Sequence, residues 1–352
     1  MSNNQNKKIA YWLISGCVII YFMVLVGCIT RLTHSGLSMT HWSVTGGLPP
    51  LSESSWQEEF SKYAQSPEFK KINSYMTIEE FKSIYFWEWL HRFIGRALLS
   101  GTFLIGFIWF YFRKQLKGKL LLKTVFLFLL GAAQGLIGWW MVKSGLVDNP
   151  AVSHYRLAIH LMSAFTCFAF TYWFALQILN SHPVNAVSAP NNQNAKLFPL
   201  ATVLLVVIIT QIIFGAFVAG KKAGLGFATW PTMNGEWFPT ESIMIYPSLL
   251  TNFFETPAGI QWLHRSFAFV VVTLVGVVWI RSNKLNLSRE ASRAITLLIY
   301  GVTIQFILGV WTLLHQVPVV LGVLHQSGAF FLFAVSIYLI FHLQLYKNPK
   351  KN

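Results

Sequence analysis

Charge is what this sequence has least of. Only 11% of its 352 residues are Asp, Glu, Lys or Arg, against about a quarter in a soluble globular chain. With 54% hydrophobic residues, that scarcity argues against an ordinary soluble domain. Acids are scarcer still, at 12 against 27 Lys and Arg. Cysteine is nearly absent: Cys17, Cys28 and Cys167 stand apart with no CxxC spacing, which speaks against a disulfide framework or a zinc site. The opening residues, MSNNQNKKIAYW, lack the Arg- and Ser-rich amphipathic character of a transit peptide. The apolar run after them is too long for a signal-peptide core.

What the sequence has instead is long apolar runs, at about 10–30, 86–112, 121–142, 154–179, 197–219, 259–280, 294–314 and 319–345. Each has the roughly 20 residues that cross a bilayer core at about 1.5 Å per residue. The expected fold class is therefore all-α integral membrane, with eight transmembrane helices and lipid as the surrounding medium. With the N-terminus inside, the inner segments hold Lys7, Lys8, the Arg113–Lys123 cluster, Lys196, the Arg281–Arg293 loop and the Lys347–Lys351 tail against a single acid, Glu290. The outer segments are nearly balanced. This is the positive-inside bias, and it predicts both termini in the cytoplasm of a bacterial plasma membrane. The basic excess is thus a topology signal, and no nucleic-acid partner is expected.

The chain is written twice. Trp89-Leu90-His91-Arg92 recurs as Trp262-Leu263-His264-Arg265; Gln134, Gly138 and Trp140 recur as Gln305, Gly309 and Trp311; His160, Ala164, Phe165 and Phe168 recur as His325, Ala329, Phe330 and Phe333. Because the shared residues are His, Arg, Gln and Trp rather than Leu, chance similarity between apolar helices does not explain them. The expected organisation is an N-terminal four-helix half at 1–180 with a long outer loop at 31–85, a cytoplasmic linker at 181–196, and a C-terminal four-helix half at 197–352. An even number of spans per repeat gives two four-helix bundles of the same orientation, related by a pseudo-twofold along the membrane normal. Ser54–Tyr63 and Thr77–Tyr85 in the long loop read as short surface helices.

Ten histidines are present, and the repeat sets four apart: His91, His160, His264 and His325. Each lies five or six residues into an even-numbered span, roughly 8–9 Å inside the outer boundary by helix rise. Ionisable groups at membrane depth are expensive and usually functional. A lone intramembrane histidine is more often structural, but four repeat-related ones at one depth make metal ligands. Imidazole suits iron, zinc or copper would want more ligands at one point, and bis-histidine heme fits better. Arg92, Arg96 and Arg265 lie on the ligand helices near the outer surface, where heme propionates would sit, with interfacial snorkelling as the alternative. His315 borders the second site.

The repeat is most informative where it breaks. Glu88 precedes His91 by one helical turn, so the two project from similar faces; the matching residue before His264 is Gln261. A heme that only passes electrons needs ligands and an apolar surround. A heme whose periphery is transformed needs a group that moves protons or stabilises positive charge. Chemistry is therefore expected in the N-terminal half, with Glu88 as the catalytic candidate, and electron transfer in the C-terminal half. The alternative for Glu88 is a structural ion pair with Arg92.

Thr30-Arg31-Leu32-Thr33 through Ser35-Gly36-Leu37-Ser38-Met39, then Val44-Thr45-Gly46 and Leu48-Pro49-Pro50, resembles the first outer loop of the heme A synthase family. So does Trp87-Glu88-Trp89-Leu90-His91-Arg92 with Gly95-Arg96. The form is similar to the mitochondrial and proteobacterial branch, without the loop cysteine pair of another branch. The resemblance implies an oxidoreductase that converts the C8 methyl of heme O to the formyl of heme A by successive hydroxylations, for assembly of heme-copper terminal oxidases. It implies substrate heme between His91 and His160, a resident heme b between His264 and His325, Glu88 as the catalytic carboxylate, and heme O synthase and terminal oxidase assembly as partners. The electron acceptor and the origin of the oxygen stay open, as does a homo-oligomer. A quinol-oxidising b-type cytochrome and a heme transporter are the competing classes. The first would tend to place hemes at both faces, and the second has no need of the Glu88/Gln261 difference.

Overall fold

The computed structural model describes residues 3–41, 48–96, 101–147, 150–180 and 193–345. The Val44-Thr45-Gly46 motif, most of the expected linker at 181–196 and the basic tail lie outside them. Among the described residues, eight helices are long and apolar enough to cross a membrane: Asn6–Leu32, Ile78–Phe112 (read across 97–100), Lys119–Lys143, His154–Leu179, Asn194–Gly220, Pro257–Ser282, Arg289–Leu314 and Val319–Gln344. These are the eight apolar runs of the sequence, and the chain is an all-helical, multi-pass membrane protein. It divides into two compact units, Met1–Ala175 and Leu176–Asn352.

In the first unit α1 (Asn3–Leu32) packs on α4 (Ile78–Phe93) and α5 (Gly101–Phe112). Trp12 stacks on Phe103 with ring centroids 4.8 Å apart. Gly106 makes that approach feasible, since a Cβ there would fall 2.1 Å from the Trp12 indole nitrogen. Two further helices, α6 (Lys119–Lys143) and α7 (His154–Leu179), complete the membrane part.

Between α1 and α4 lie α2 (Glu53–Ala64) and α3 (Pro67–Lys71). Ser52 and Ser55 form a capping box that starts α2, satisfying backbone N–H groups that have no intrahelical partner. Tyr63, Phe81 and Tyr85 form a small core with Trp56, Phe60 and Phe69 around it. The Tyr63 hydroxyl donates to Glu68 at 3.2 Å and accepts from the Asn73 amide at 2.8 Å. Burial, with the Glu68 carboxylate beside it, pushes the phenol above its usual range. The polar patch at Thr77–Tyr85, expected as a separate surface helix, is instead the first two turns of α4. A second capping box, Thr77 with Glu80, starts the helix there, well outside the apolar run, and Phe81 and Tyr85 join it to the α2 core.

The second unit is a closed bundle. α8 (Gln193–Gly220) packs on α11 (Pro257–Ser282), α11 on α12 (Arg289–Leu314), α12 on α13 (Val319–Leu345), and α13 back on α8. α11 begins at Thr256, whose hydroxyl accepts from Gly259 N at 3.0 Å, with Pro257 in the first helical turn, where a missing N–H is harmless. Two short helices, α9 (Thr240–Ile243) and α10 (Leu249–Glu255), lie in the loop before it. His315 is the C-terminal cap of α12 and its ring bonds the Trp311 carbonyl at 3.0 Å, a local structural role.

Candidate functional site

His264 on α11 and His325 on α13 face each other in the second unit, their ring centroids 6.4 Å apart and their planes at 80°. A metal held between two imidazoles, with bonds of about 2 Å and about 1 Å more to each ring centre, needs centroids about 6 Å apart. The separation fits a six-coordinate iron whose four remaining ligands come from a macrocycle. No group of three or more His, Cys, Asp or Glu suited to a bare ion exists among the described residues.

Each ring rests on a glycine of a neighbouring helix. A Cβ on Gly215 of α8 would lie 3.3 Å from His264 Cε1, and one on Gly309 of α12 would lie 2.9 Å from His325 Cε1. The first unit repeats the arrangement: Gly27 of α1 seats His91 (3.0 Å), and Gly138 of α6 seats His160 (2.9 Å). Without a side chain at these four positions, the ring edge tucks between helices and its direction is fixed by packing. The Nδ1 atoms of His91, His264 and His325 are buried with no hydrogen-bond partner among the described residues, so packing rather than a bond to the ring orients them.

One helical turn before three of those glycines stands a glutamine, which holds the backbone of the histidine's own turn. Gln211 Nε2 donates to the His264 carbonyl at 3.0 Å, and Gln305 Nε2 to the His325 carbonyl at 2.9 Å. Gln134 Nε2 donates to the His160 carbonyl at 2.9 Å and lies 3.3 Å from its Nδ1, while the Ser163 hydroxyl donates to Gln134 Oε1. The sequence reading singled out Gln134, Gly138, Gln305 and Gly309 as repeat markers but passed over Gln211, Gly215 and Gly27. The signal was present: Gln-x-x-x-Gly occurs on α6, α8 and α12, and spacing i to i+4 places both residues on one helix face.

The residues flanking His91 and His264 reach the loops that precede their helices. Glu88 is buried at 3% exposure. Its Oε2 accepts from the Ser38 hydroxyl and from Met39 N, both at 2.8 Å, and its Oε1 pairs with the Arg92 guanidinium. Arg92 also donates to the carbonyls of Met39 and His41, each at 3.0 Å. In the second unit Gln261 Nε2 donates to the Phe227 carbonyl at 3.1 Å. Arg265 donates to the carbonyls of Phe227 (2.8 Å), Thr229 (3.0 Å) and Thr232 (3.2 Å). In both units, then, the residue three before the histidine and the arginine one after it bind the backbone of the loop above. The half-buried Arg96 makes no side-chain hydrogen bond or ion pair among the described residues.

The sequence profile of the cytochrome oxidase assembly protein family COX15-CtaA matches residues 10–337. The chain belongs to this family. It is 44% identical to the heme A synthase of Flavobacterium johnsoniae over 96% of its own length and 98% of the relative's. It is 43% identical to that of Nitrosospira multiformis, over 94% and 92%. To the heme A synthase COX15 of Arabidopsis thaliana it is 41% identical, over 95% of this chain and 74% of the plant protein. The family assignment therefore spans both units and all four glycine-seated histidines.

Gly309→Val puts branched carbon where 2.9 Å is already too close for one Cβ, so His325 must turn away. Overpacking of this kind costs about 1–3 kcal/mol, which the bundle tolerates, whereas a metal bond through His325 would not survive it. The purified variant should fold and run as a normal species in detergent while its heme absorbance falls by at least half. Unchanged heme content would mean that the ring direction is not set by this contact.

Proposed function

We propose that the protein is a heme A synthase, oxidising the C8 methyl of heme O to the formyl of heme A. The observation that carries this reading is the 44% identity to a heme A synthase along nearly the full length of both chains. The paired, glycine-seated histidines support it. In this reading water supplies the oxygen: two successive oxidations convert R–CH3 and H2O to R–CHO, and four protons and four electrons leave, the electrons to an acceptor of unassigned identity.

In this reading His91 and His160 hold the substrate heme, and His264 and His325 hold a resident heme b. The resident heme supplies a one-electron carrier when bound. Gly215 and Gly309 aim its ligands, and Gln211 and Gln305 fix the helix turns that carry them. At the substrate site Glu88 is the catalytic carboxylate. Arg92 pairs with it, and Ser38 and Met39 fix its orientation. A charge so held, in a low-dielectric setting, stabilises positive charge that develops beside the ring as hydride equivalents leave the methyl. The terminal guanidinium nitrogens of Arg92 and Arg265 already bond loop carbonyls, which makes Arg96 the better candidate for a propionate. The two halves are read as repeats of one four-helix design, in a bacterial plasma membrane, serving terminal oxidase assembly.

Extraction and chromatography of the hemes bound to the purified protein test the reading. Heme O, heme A or a hydroxylated intermediate beside heme b is expected. Heme b alone would overturn the assignment in favour of an electron-transfer cytochrome.

A further inference from the structure

Of the four histidines, three stand on helix turns clamped from the side by a glutamine one turn before the seating glycine. The fourth, His91, has the glycine but not the glutamine. The residue four before Gly27 is Met23, in the place that Gln211 holds relative to Gly215. Met23 points at the same stretch of helix: its methyl lies 3.3 Å from where a Cβ on Gly95 would be, one turn past His91. It reaches the backbone and has no N–H to give it.

A second observation falls on the same turn. Residues 94–96 leave the α-helical pattern for a π turn, whereas α11, α7 and α13 run unbroken past their histidines to Ser282, Leu179 and Leu345. π turns arise where a helix is interrupted and recur at functional sites. Opposite His91, the partner ligand is held more firmly than any other, because Gln134 bonds the His160 carbonyl and is itself fixed by Ser163. At the place of Ser163 the second unit has Gly328, where a Cβ would come within 2.0 Å of Gln305 Oε1.

We infer that Gln134, Gln211 and Gln305 are positioning residues for the heme ligands, and that Met23 marks His91 as the releasable one. This rests on the proposed reading, in which one heme must enter and leave while the other stays. Heme exchange in the first unit then proceeds by yielding of the His91 turn against a fixed His160, and the second unit, clamped on both ligands, retains its heme.

Gln and Met are close in volume, so exchanging them disturbs packing little. The intact, purified protein in detergent is mixed with excess apomyoglobin as heme acceptor, and transfer is followed by absorbance. Wild type should lose heme in a fast and a slow phase. Met23→Gln should slow the fast phase and Gln211→Met should quicken the slow one, each about 2- to 10-fold, the range of one net hydrogen bond. Gln211→Met should also broaden the low-spin ferric EPR signal of the retained heme. If both substitutions leave their phases unchanged, the clamp is overturned. Should the two phases respond as expected but carry only heme b, the clamp stands and the synthase reading falls. A variant Met23→Leu, apolar like the native residue, should match wild type; slowing by Leu as much as by Gln would attribute the effect to packing and overturn the hydrogen-bond clamp.

Discussion

Replacing His264 or His325 with alanine should abolish the low-spin bis-histidine heme b spectrum of the purified protein. The two rings stand 6.4 Å apart, a separation that suits one metal ion held between them. Loss of either imidazole leaves the iron with one axial protein ligand, and the spectrum changes to high spin or heme departs. The fold should survive, because each ring rests on a glycine and the bundle is closed by four helices that pack in a cycle. Heme quantified per protein, with the absorbance and EPR spectra, decides the matter. A variant with a full heme complement and an unchanged low-spin spectrum would disprove the pairing.

How far the sequence could be read depended on whether a feature is carried by side-chain type or by backbone. Membrane helices are a matter of length and apolarity, so all eight were legible. The start of the second one was not, because hydropathy reports where lipid begins and not where a helix begins. Thr77 and Glu80 held the missing information as a capping box. The four histidines were legible as a set because duplication repeats costly residues. Their seats were legible only in part. Gly138 and Gly309 repeat visibly, but Gly27 and Gly215 are ordinary glycines in apolar helices until the imidazole edge is seen against them. The loop ties lay beyond sequence reasoning altogether. The partners of Arg92 and Arg265 are chiefly backbone carbonyls of Met39, His41, Phe227, Thr229 and Thr232, and a carbonyl carries no residue signature. From sequence those arginines pointed at propionates; in space their terminal guanidinium nitrogens lie on loop carbonyls, while Arg265 Nε has no partner among the described residues.

The Glu88/Gln261 difference gains a second meaning from the same contacts, and one experiment separates the two. Glu88→Gln keeps the size of the side chain and an oxygen for Ser38 and Met39, but removes the charge that faces Arg92. If the carboxylate stabilises positive charge during methyl oxidation, heme A formation should fall by about 10²–10⁴, the usual contribution of a positioned acid or base. Heme O or a part-oxidised heme should accumulate, with binding intact. Ser38→Ala is the matched control. It deletes one of the loop bonds to Glu88, leaves the charge, and should lower the rate by less than about tenfold, since one net hydrogen bond contributes about 0.5–1.5 kcal/mol. Equal losses in the two variants would make Glu88 an anchor for the first outer loop, equivalent to Gln261 under the second. A Glu88→Gln protein that produced heme A at the wild-type rate would remove the carboxylate from the chemistry, and the division of labour between the halves would have to rest on other residues. The charge is the one property that Gln261 cannot reproduce. Activity that follows the charge, with the loop bonds controlled for, is therefore the result that assigns the chemistry to the first unit.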